Sequence, residues 1–363
     1  MSELNTPAVH INMNQVEENI KEIVNNLKEQ GIAHRPHIKV HKSVYLAQLQ
    51  QKLGAEGITV ATLGEAEVMA NGGISDILLA FPVIGEEKLE GYEKLLKRKG
   101  LTIRTVINSI KGANDLSELG LKLNIKIPVL IEVDGGIFRG GVPLGEPLVE
   151  FGKNIKDLAG IEVQGILYYG GDIYGLKDIK AMEERSKRES EEIVSAAKSL
   201  EEIGFKMDIL SGGSSFSVRF PKELKGITEA RAGNYIFNDC AQLTTGVIPE
   251  EKCALTILAT VISRPDENTA IIDAGTKTLS SDLVGFREGY GYIKEDPSII
   301  IHKLNEEHGY LKSENPISFE IGDKINIIPN HACVIPNLAG KVYCMRDDIL
   351  ERVICIEAQS KIQ

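Results

Sequence analysis

The sequence contains few cysteines, and their arrangement excludes a disulfide framework. Only five occur among 363 residues, and none precedes residue 240: Cys240, Cys253, Cys333, Cys344 and Cys355. Their number is odd and none forms a C-x-x-C pair, a pattern typical of reduced thiols. Apart from Cys333, we assign these cysteines to packing.

Positive charge and long apolar runs are also scarce. Lys and Arg total 41 against 52 for Asp and Glu, which gives a net charge of -11. This balance argues against a nucleic acid or an anionic membrane as the main partner. No apolar run approaches the ~20 residues needed to span a bilayer, and the first residues carry no basic segment followed by an apolar one. We therefore expect a cytoplasmic protein without an export signal.

In the middle of the chain, short apolar runs alternate with amphipathic stretches. Apolar spacing predicts a helix over 15–29, before the first strand, and a long polar helix within 174–203. Eight strands are predicted: 37–41, 58–61, 76–80, 102–107, 127–133, 163–169, 207–210 and 227–230. Eight alternating units favour a closed (β/α)8 barrel of the TIM type, with its chemistry at the C-terminal ends of the strands. A doubly wound open sheet is the alternative, but no G-x-G-x-x-G follows the first strand.

After residue 243 the pattern becomes β-rich. Predicted strands cover 255–263, 269–273, 299–304, 324–328, 341–344 and 353–356, separated by turn-forming Gly, Pro, Asn and Asp. We predict a barrel domain over 12–243 and an all-β domain over 244–363, joined by residues 1–11.

A basic run, R-P-H-I-K-V-H-K over 35–42, occupies the first predicted strand. Pro36 suits the first residue of a strand, and the two-residue period places His37, Lys39 and His41 on one face. A lysine in the first strand of a barrel is where one pyridoxal-phosphate fold carries its cofactor. The alternative is an edge strand with solvated basic side chains.

Two glycine-containing loops follow the last two predicted barrel strands. Ser211-Gly212-Gly213-Ser214-Ser215 comes after the seventh, and the stretch from Glu229 to Tyr235 follows the eighth. Glycines let backbone N–H groups approach a phosphate closely, and barrels commonly bind phosphates at these loops. A plain strand-to-helix turn is the alternative.

The motif His331-Ala332-Cys333 follows a predicted strand and could bind one metal ion. Residues two apart in an extended segment project to the same side, and imidazole with thiolate favours Zn²⁺ over Mg²⁺ or Ca²⁺. With two protein ligands, coordination positions remain open for water and substrate, as a catalytic site requires. The alternative is a satisfied histidine beside a buried thiol.

Taken in order along the chain, eight segments resemble those of the D-threonine aldolase and metal-dependent D-serine dehydratase family. The segments are 35–42, 64–67 (G-E-A-E), 134–139 (D-G-G-I-F-R), 211–214, 231–235, 273–275 (D-A-G), 307–309 (E-H-G) and 331–333. The resemblance implies a fold type III enzyme that depends on pyridoxal 5'-phosphate, with a barrel and a β domain as in alanine racemase.

The resemblance also implies roles for individual residues. Lys39 matches the lysine that carries the cofactor, and Lys42 is a neighbouring charge or a solvated strand end. Arg139 matches the residue facing the phenolic oxygen, and Arg231 the one facing the pyridine nitrogen, which an arginine would leave unprotonated. Tyr174 would lie beside the cofactor. The other expected cofactor contacts are His37, Ser211, Gly212, Gly213, Ser214, Gly233, Asn234 and Tyr235, and the expected metal ligands are His331 and Cys333.

Each of these roles has a simpler alternative. Arg139 would otherwise be a surface or helix-capping charge, Arg231 an ion-pair partner of Glu229 or Glu162, and Tyr174 a core residue. His308 is either a site residue or a turn histidine. In the segment 168–174 (Y-Y-G-G-D-I-Y), Tyr169 and Asp172 stand where relatives carry a Gly-His pattern. The resemblance therefore does not predict how the distal group of the substrate is recognised.

The expected activity is β-elimination from a D-β-hydroxy amino acid, with Lys39, Arg139 and Tyr174 as catalytic residues. Two alternatives stay open: a D-threonine aldolase-type cleavage and an amino-acid racemase without metal. Because barrel mouths in related folds are completed by the β domain of a partner subunit, we also expect a homodimer.

Overall fold

The computed structural model describes residues 4–363, and strands and helices alternate along most of them. The strands are β1 Ala8–Asn12, β2 Ala33–His34, β3 Ile58–Val60, β4 Asp76–Pro82, β5 Thr102–Ile107, β6 Ile127–Val133, β7 Ile161–Tyr168, β8 Ile209–Gly212, β9 Glu229–Ala230, β10 Leu255–Asp266, β11 Thr269–Ile272, β12 Tyr292–Ile293, β13 Ile300–Leu304, β14 Gly309–Lys312, β15 Lys324–Ile328, β16 Lys341–Arg346 and β17 Ile349–Cys355.

The helices follow the predicted alternation. They are α1 Met13–Lys28, α2 Val44–Lys52, α3 Leu63–Asn71, α4 Glu86–Leu96, α5 Ile110–Leu123, α6 Glu146–Ile155, α7 Ile179–Glu202, α8 Cys240–Thr244, α9 Thr276–Leu279 and α10 Ile335–Ala339. Within residues 4–363, none of the helices combines the length and the apolar character required to traverse a bilayer.

The chain divides into two compact units. Of the described residues, the barrel unit comprises 22–39, 46–233 and 361–363, and the β unit comprises 4–21, 40–45 and 234–360. Each unit is described separately below.

The barrel unit is built on eight parallel strands in the order β2-β9-β8-β7-β6-β5-β4-β3. An isolated bridge between His37 and Thr59, together with a 2.8 Å bond from the Thr59 N–H to the Pro36 carbonyl, joins the two ends of this order. The barrel is therefore closed, and the predicted (β/α)8 architecture is confirmed.

Leucine and valine side chains fill part of the barrel. Leu78, Val106, Leu130 and Leu167 come from four successive strands and form one buried cluster. Each such side chain stabilises the fold by ~2 kcal/mol on burial. This packed core leaves the loops at the C-terminal ends of the strands as the place for chemistry.

The β unit contains a nine-stranded sheet with the order β13-β14-β11-β10-β1-β16-β17, and β15 pairs with both β10 and β12. The early strand β1 lies between β10, to which it is antiparallel, and β16, to which it is parallel. A strand-rich second unit is therefore confirmed, and β1 belongs to its sheet.

Candidate active site

The segment that carries Lys39 is not a strand, so the prediction of a strand over 37–41 is wrong. The first barrel strand, β2, ends at His34, and Ile38–Val40 forms a 3-10 turn after the bridge at His37. A 3-10 turn repeats every three residues, so alternate residues do not share a face. Lys39 is exposed whereas His41 is fully buried. The turn nevertheless places Lys39 just beyond the first strand of the barrel, at its C-terminal mouth.

Positive charge gathers around His37. Burial lowers the pKa of this imidazole well below its usual range, and the charges of Lys39, Arg231 and Arg139 lower it further. The ring therefore stays neutral. Its buried Nδ1 atom has no hydrogen-bond partner. Three cationic side chains around a neutral, incompletely bonded ring form an environment suited to an anionic ligand.

The guanidinium of Arg231 is buried and fixed by two hydrogen bonds. It donates to the Ser211 hydroxyl at 2.7 Å and to the Tyr168 carbonyl at 2.6 Å. Burial lowers its pKa, and nearby carboxylates, led by Glu229, oppose that shift. Arg231 makes no ion pair with Glu162, which instead accepts a bond from Gln164.

Arg231 adjoins a network of ion pairs and hydrogen bonds that was not predicted from the sequence. Glu229 accepts from the Ser211 hydroxyl at 2.6 Å and pairs with Arg35 at 2.8 Å. Arg35 in turn pairs with Asp76, which also pairs with Arg104. The Ser211 hydroxyl therefore links Arg231 to this network and is not free for a phosphate.

The loop after β8 is held by its own hydrogen bonds. The Gly213 N–H donates to the buried Glu189 carboxylate at 2.9 Å, and the Ser214 N–H donates to the Ser217 hydroxyl at 2.7 Å. Gly213 has a φ of +76°, and a Cβ on Gly212 would lie 2.5 Å from an Ile193 methyl group. A side chain at Gly213 would be strained by the positive φ, and one at Gly212 would require the Ile193 methyl group to move.

Gly233 lies against the segment that carries His37. A Cβ on Gly233 would come within 2.5 Å of the His37 carbonyl oxygen. The loop after β9 can therefore approach the loop after β2 only because this position lacks a side chain.

Arg139 and Tyr174 lie on loops at the same mouth. The Arg139 guanidinium stacks over the Tyr169 ring at 4.7 Å from the centroid. Tyr174, in a 3-10 turn, packs edge-on against Phe216 with the centroids 4.8 Å apart. No acidic partner of Arg139 occurs within residues 4–363, so its charge remains available to an anionic group.

The loop that departs from the family pattern is fixed by an ion pair. Asp172 accepts from Arg185 Nε at 2.7 Å, and Arg185 also donates to the Tyr168 hydroxyl at 3.0 Å. The charge of Asp172 is thus neutralised by a buried arginine on α7.

The β unit holds the predicted metal motif. His331 immediately precedes the 3-10 turn Ala332–Val334, which follows β15, and Cys333 lies within that turn. His331 Nδ1 is 3.4 Å from an oxygen of Asp239, a carboxylate that is 0% exposed. Burial opposes charge on the imidazole, but the Cys333 sulfur and the Asp239 carboxylate outweigh it and raise the pKa of His331 to about 11.

Asn234 and Tyr235, expected on the cofactor, belong to this unit. The Asn234 side-chain amide donates to Asp239, and its Oδ1 is buried without a partner. Tyr235 is fully buried in a 3-10 turn. The Asn234 N–H₂ group is thus bound to protein.

The donors present fit both expected groups. For pyridoxal phosphate, the three cations around His37 supply positive charge, and the absence of a side chain at Gly233 lets the loop after β9 approach the segment that leads to Lys39. For a metal, no cluster of three potential ligands exists within residues 4–363, so His331 and Cys333 would be the two protein ligands. A carboxylate behind the histidine is the usual outer partner of a metal-bound imidazole.

Asp239 and Glu189 are the functional candidates that sequence reasoning missed. Neither stands in a motif, and each contacts a segment distant in the chain: Asp239 reaches Ala332 and Glu189 reaches Gly213. No sequence signal singled out either residue: Glu189 stands among other charged residues in S-K-R-E-S-E-E, and Asp239 is an isolated acid in F-N-D-C-A.

Family models match nearly the whole chain. The model "Alanine racemase, N-terminal domain" covers residues 11–240, and "Putative serine dehydratase domain" covers residues 254–345. The first match spans the strands of the barrel, and the second spans most of the β-unit sheet and the His331–Cys333 turn.

Named relatives agree with these models. The chain is 32% identical to D-threo-3-hydroxyaspartate dehydratase of Delftia sp. (strain HT23), with 91% of each chain covered. It is 27% identical to D-threonine aldolase of Arthrobacter sp, covering 99% of this chain and 94% of the relative. The crystal structure of D-threonine aldolase from Filomicrobium marinum superimposes with a TM-score of 0.91 at 26% identity, over 100% of this chain and 98% of that one. The chain therefore belongs to the D-threonine aldolase and D-serine dehydratase family of pyridoxal-phosphate-dependent lyases, which share the fold of alanine racemase.

Proposed function

We propose that this lyase eliminates water from a D-β-hydroxy amino acid and yields a 2-oxo acid and ammonia. The observation that carries the proposal is the pair His331 and Cys333 in one turn, with a buried carboxylate behind the histidine. Such a site suits a divalent metal that keeps positions open for substrate.

The relatives support the choice of elimination. The relative with 32% identity is named as a dehydratase of a D-3-hydroxy amino acid. A structure of a variant of that dehydratase, 30% identical to this chain, is described as its metal-free form. These descriptions belong to the relative, and they favour a metal-assisted elimination here.

Lys39 would hold pyridoxal phosphate and act on the substrate. The bound cofactor supplies an electron sink that stabilises negative charge at the substrate Cα. Lys39 Nζ, exposed at the barrel mouth, is placed to take the α-proton. Arg231 keeps its proton and its position through Ser211 and Tyr168, so it presents a fixed positive charge to the site.

His331 and Cys333 would hold the divalent metal, and the imidazole–thiolate pair favours Zn²⁺. The metal supplies Lewis acidity that makes the substrate β-hydroxyl a better leaving group. Asp239 accepts the Ala332 N–H at 2.9 Å and so fixes the backbone between the two ligands.

Retro-aldol cleavage to glycine and an aldehyde is the second candidate. It is favoured by the close superposition on a D-threonine aldolase, at a TM-score of 0.91. The same residues serve both reactions, since the bond broken depends on how the substrate is oriented over the cofactor.

A racemase is less well supported. It needs a second base opposite Lys39, for which Tyr290 and Tyr292 are the candidates considered. The Tyr292 hydroxyl donates to Glu250 at 2.9 Å, and burial with this bond raises its pKa to about 12. A phenol in that state is a poor base at neutral pH.

Incubation with D-threonine distinguishes the candidates. We expect 2-oxobutanoate and ammonia; glycine and acetaldehyde would instead establish the aldolase reaction, and L-allo-threonine, the product of inversion at Cα alone, would establish the racemase. Cys333→Ala should lose activity, while Cys355→Ala, at an exposed cysteine of the same unit, should keep it. Full activity of Cys333→Ala after chelator treatment would contradict both metal-dependent reactions.

The assembly we propose is a homodimer in which the partner covers the barrel mouth. Phe138, in the loop after β6, is 93% exposed and has a left-handed φ of 53°. A fully exposed aromatic beside Arg139 favours coverage by another subunit.

A further inference from the structure

Asp239 makes more contacts than its local structure requires. It caps α8, since one carboxylate oxygen accepts the Ala241 N–H at 3.1 Å. The other oxygen accepts the Ala332 N–H at 2.9 Å and an N–H of the Asn234 amide, and it lies 3.4 Å from His331 Nδ1. The side chain is 0% exposed.

The second oxygen is the informative one. A helix cap needs a single acceptor, and Asp239 provides it with its first oxygen. The second oxygen contacts His331 and the backbone of Ala332, which lies between the two expected metal ligands. Burial of a carboxylate is unfavourable unless hydrogen-bond donors surround it. The buried Asp239 carboxylate therefore depends on the nitrogen groups of this turn that it contacts.

We propose that Asp239 is a positioning residue that holds the His331 ring with Nδ1–H toward its carboxylate and leaves Nε2 as the metal-binding nitrogen. The inference rests on the proposed metal site at His331 and Cys333. A carboxylate bonded to the remote nitrogen fixes the tautomer and ring orientation and increases the basicity of the ligating nitrogen. Loss of such a partner typically weakens metal affinity by about 10- to 100-fold.

The test compares zinc affinity in three proteins purified with their cofactor. Zn²⁺ binding is measured by competition with a chromophoric chelator at neutral pH for the wild type, Asp239→Asn and Asp178→Asn. Asp178 is a matched control because it also caps a helix, accepting the Ala181 N–H at 2.9 Å, and lies in the barrel unit. We expect Asp239→Asn to bind Zn²⁺ about 10- to 100-fold more weakly and Asp178→Asn to match the wild type.

The possible outcomes distinguish a failure of this inference from a failure of the proposed metal site on which it rests. A wild type that binds no zinc at His331, shown by His331→Ala having the same affinity, would overturn both. A wild type that binds zinc through His331, with Asp239→Asn equal to it, would overturn only the role of Asp239.

If Asp239→Asn does not fold, a measurement on the wild type tests the same proposal. In zinc-loaded protein labelled with ¹⁵N-histidine, His331 should show a protonated Nδ1 and a zinc-bound Nε2. Zinc on Nδ1 would contradict the proposal.

Discussion

At the scale of single residues, Glu189 is the least expected feature of the proposed cofactor site. A carboxylate on α7 is buried beneath the loop after β8 and accepts the Gly213 N–H at 2.9 Å. Burial raises its pKa, although the Gly213 N–H and the charge of Arg185 oppose the shift. The loop therefore depends on a buried acid for its shape.

Replacement of Glu189 should change how stability depends on pH. Its folded pKa lies above the unfolded value of 4.5, so its contribution to stability is present below that pH and is lost as pH rises through the folded pKa. Glu189→Gln keeps an acceptor for Gly213 and should weaken this decline, whereas Glu189→Ala should lose ~1–3 kcal/mol because it leaves a buried N–H unpaired. Urea unfolding of the three proteins from pH 4.5 to 8 measures both effects. A Glu189→Gln protein that declines with pH as steeply as the wild type would contradict the assignment.

Lys39 should carry the cofactor. Reduction of the purified enzyme with borohydride is expected to fix pyridoxal phosphate to the tryptic peptide that contains Lys39, and Lys39→Ala should abolish this adduct. Lys42 has a left-handed φ of 52° and is 8% exposed, so it is the less accessible amine. Mass spectrometry that finds the adduct on Lys42 would exclude Lys39.

The roles of residues could be predicted where the chemistry lies within one short motif. Lys39 in P-H-x-K and the pair in H-A-C were predicted in this way, and their roles stay predictions. Asp239 and Glu189 could not be, because a carboxylate reveals its role only through its partners, and theirs lie 93 and 24 residues away.

At the scale of elements, the loops after β6 and β7 are in direct contact. A Cβ on Gly135 would lie 2.0 Å from the Tyr169 carbonyl oxygen, and Arg185 Nη2 donates weakly to the Gly135 carbonyl at 3.4 Å. The two loops carry Arg139 and Tyr169, which stack on each other. Their separation therefore controls the position of both side chains.

Gly135→Ala should push these loops apart. We expect cofactor affinity to fall by about tenfold or more, since small displacements of positioning loops have large effects. Gly175→Ala is the matched control at the same mouth, because a Cβ there would meet no atom within 4 Å. Titration of apoenzyme with pyridoxal phosphate measures both. Equal affinities for the two variants would show that the contact does not position the site.

Among the elements, long buried strands were the most predictable. The predicted ranges 102–107, 127–133 and 324–328 agree with β5, β6 and β15, because apolar and β-branched residues predominate in each. The two-residue strands β2 and β12 contain too few residues to show a period. The error at 37–41 arose because alternate basic residues in the sequence were taken for one face of a strand, whereas this segment contains the 3-10 turn Ile38–Val40.

At the scale of the whole molecule, the net charge of -11 is spread over the chain, so it does not by itself define a docking surface. The barrel and the second β domain were predictable because the spacing of apolar residues changes after about residue 243. The oligomeric state depends on the surface of the folded protein, and the spacing of apolar residues along the sequence does not describe that surface.

We expect the wild-type protein to sediment as a homodimer. The Phe138→Ser protein should contain more monomer and should be less active. Leu121→Ser is the control, since Leu121 is 61% exposed in the last turn of α5, at the end of the barrel opposite the mouth. A wild-type protein that is fully active as a monomer would exclude the proposed assembly.

The placement of β1 has a consequence for biosynthesis. This strand is synthesised before its neighbours β10 and β16, which begin at residues 255 and 341. On the ribosome it must remain without its sheet while the barrel segments between them emerge and fold. An unpaired apolar strand is prone to aggregate during that interval. The demand on chaperones should therefore be greatest before the last third of the chain has been translated.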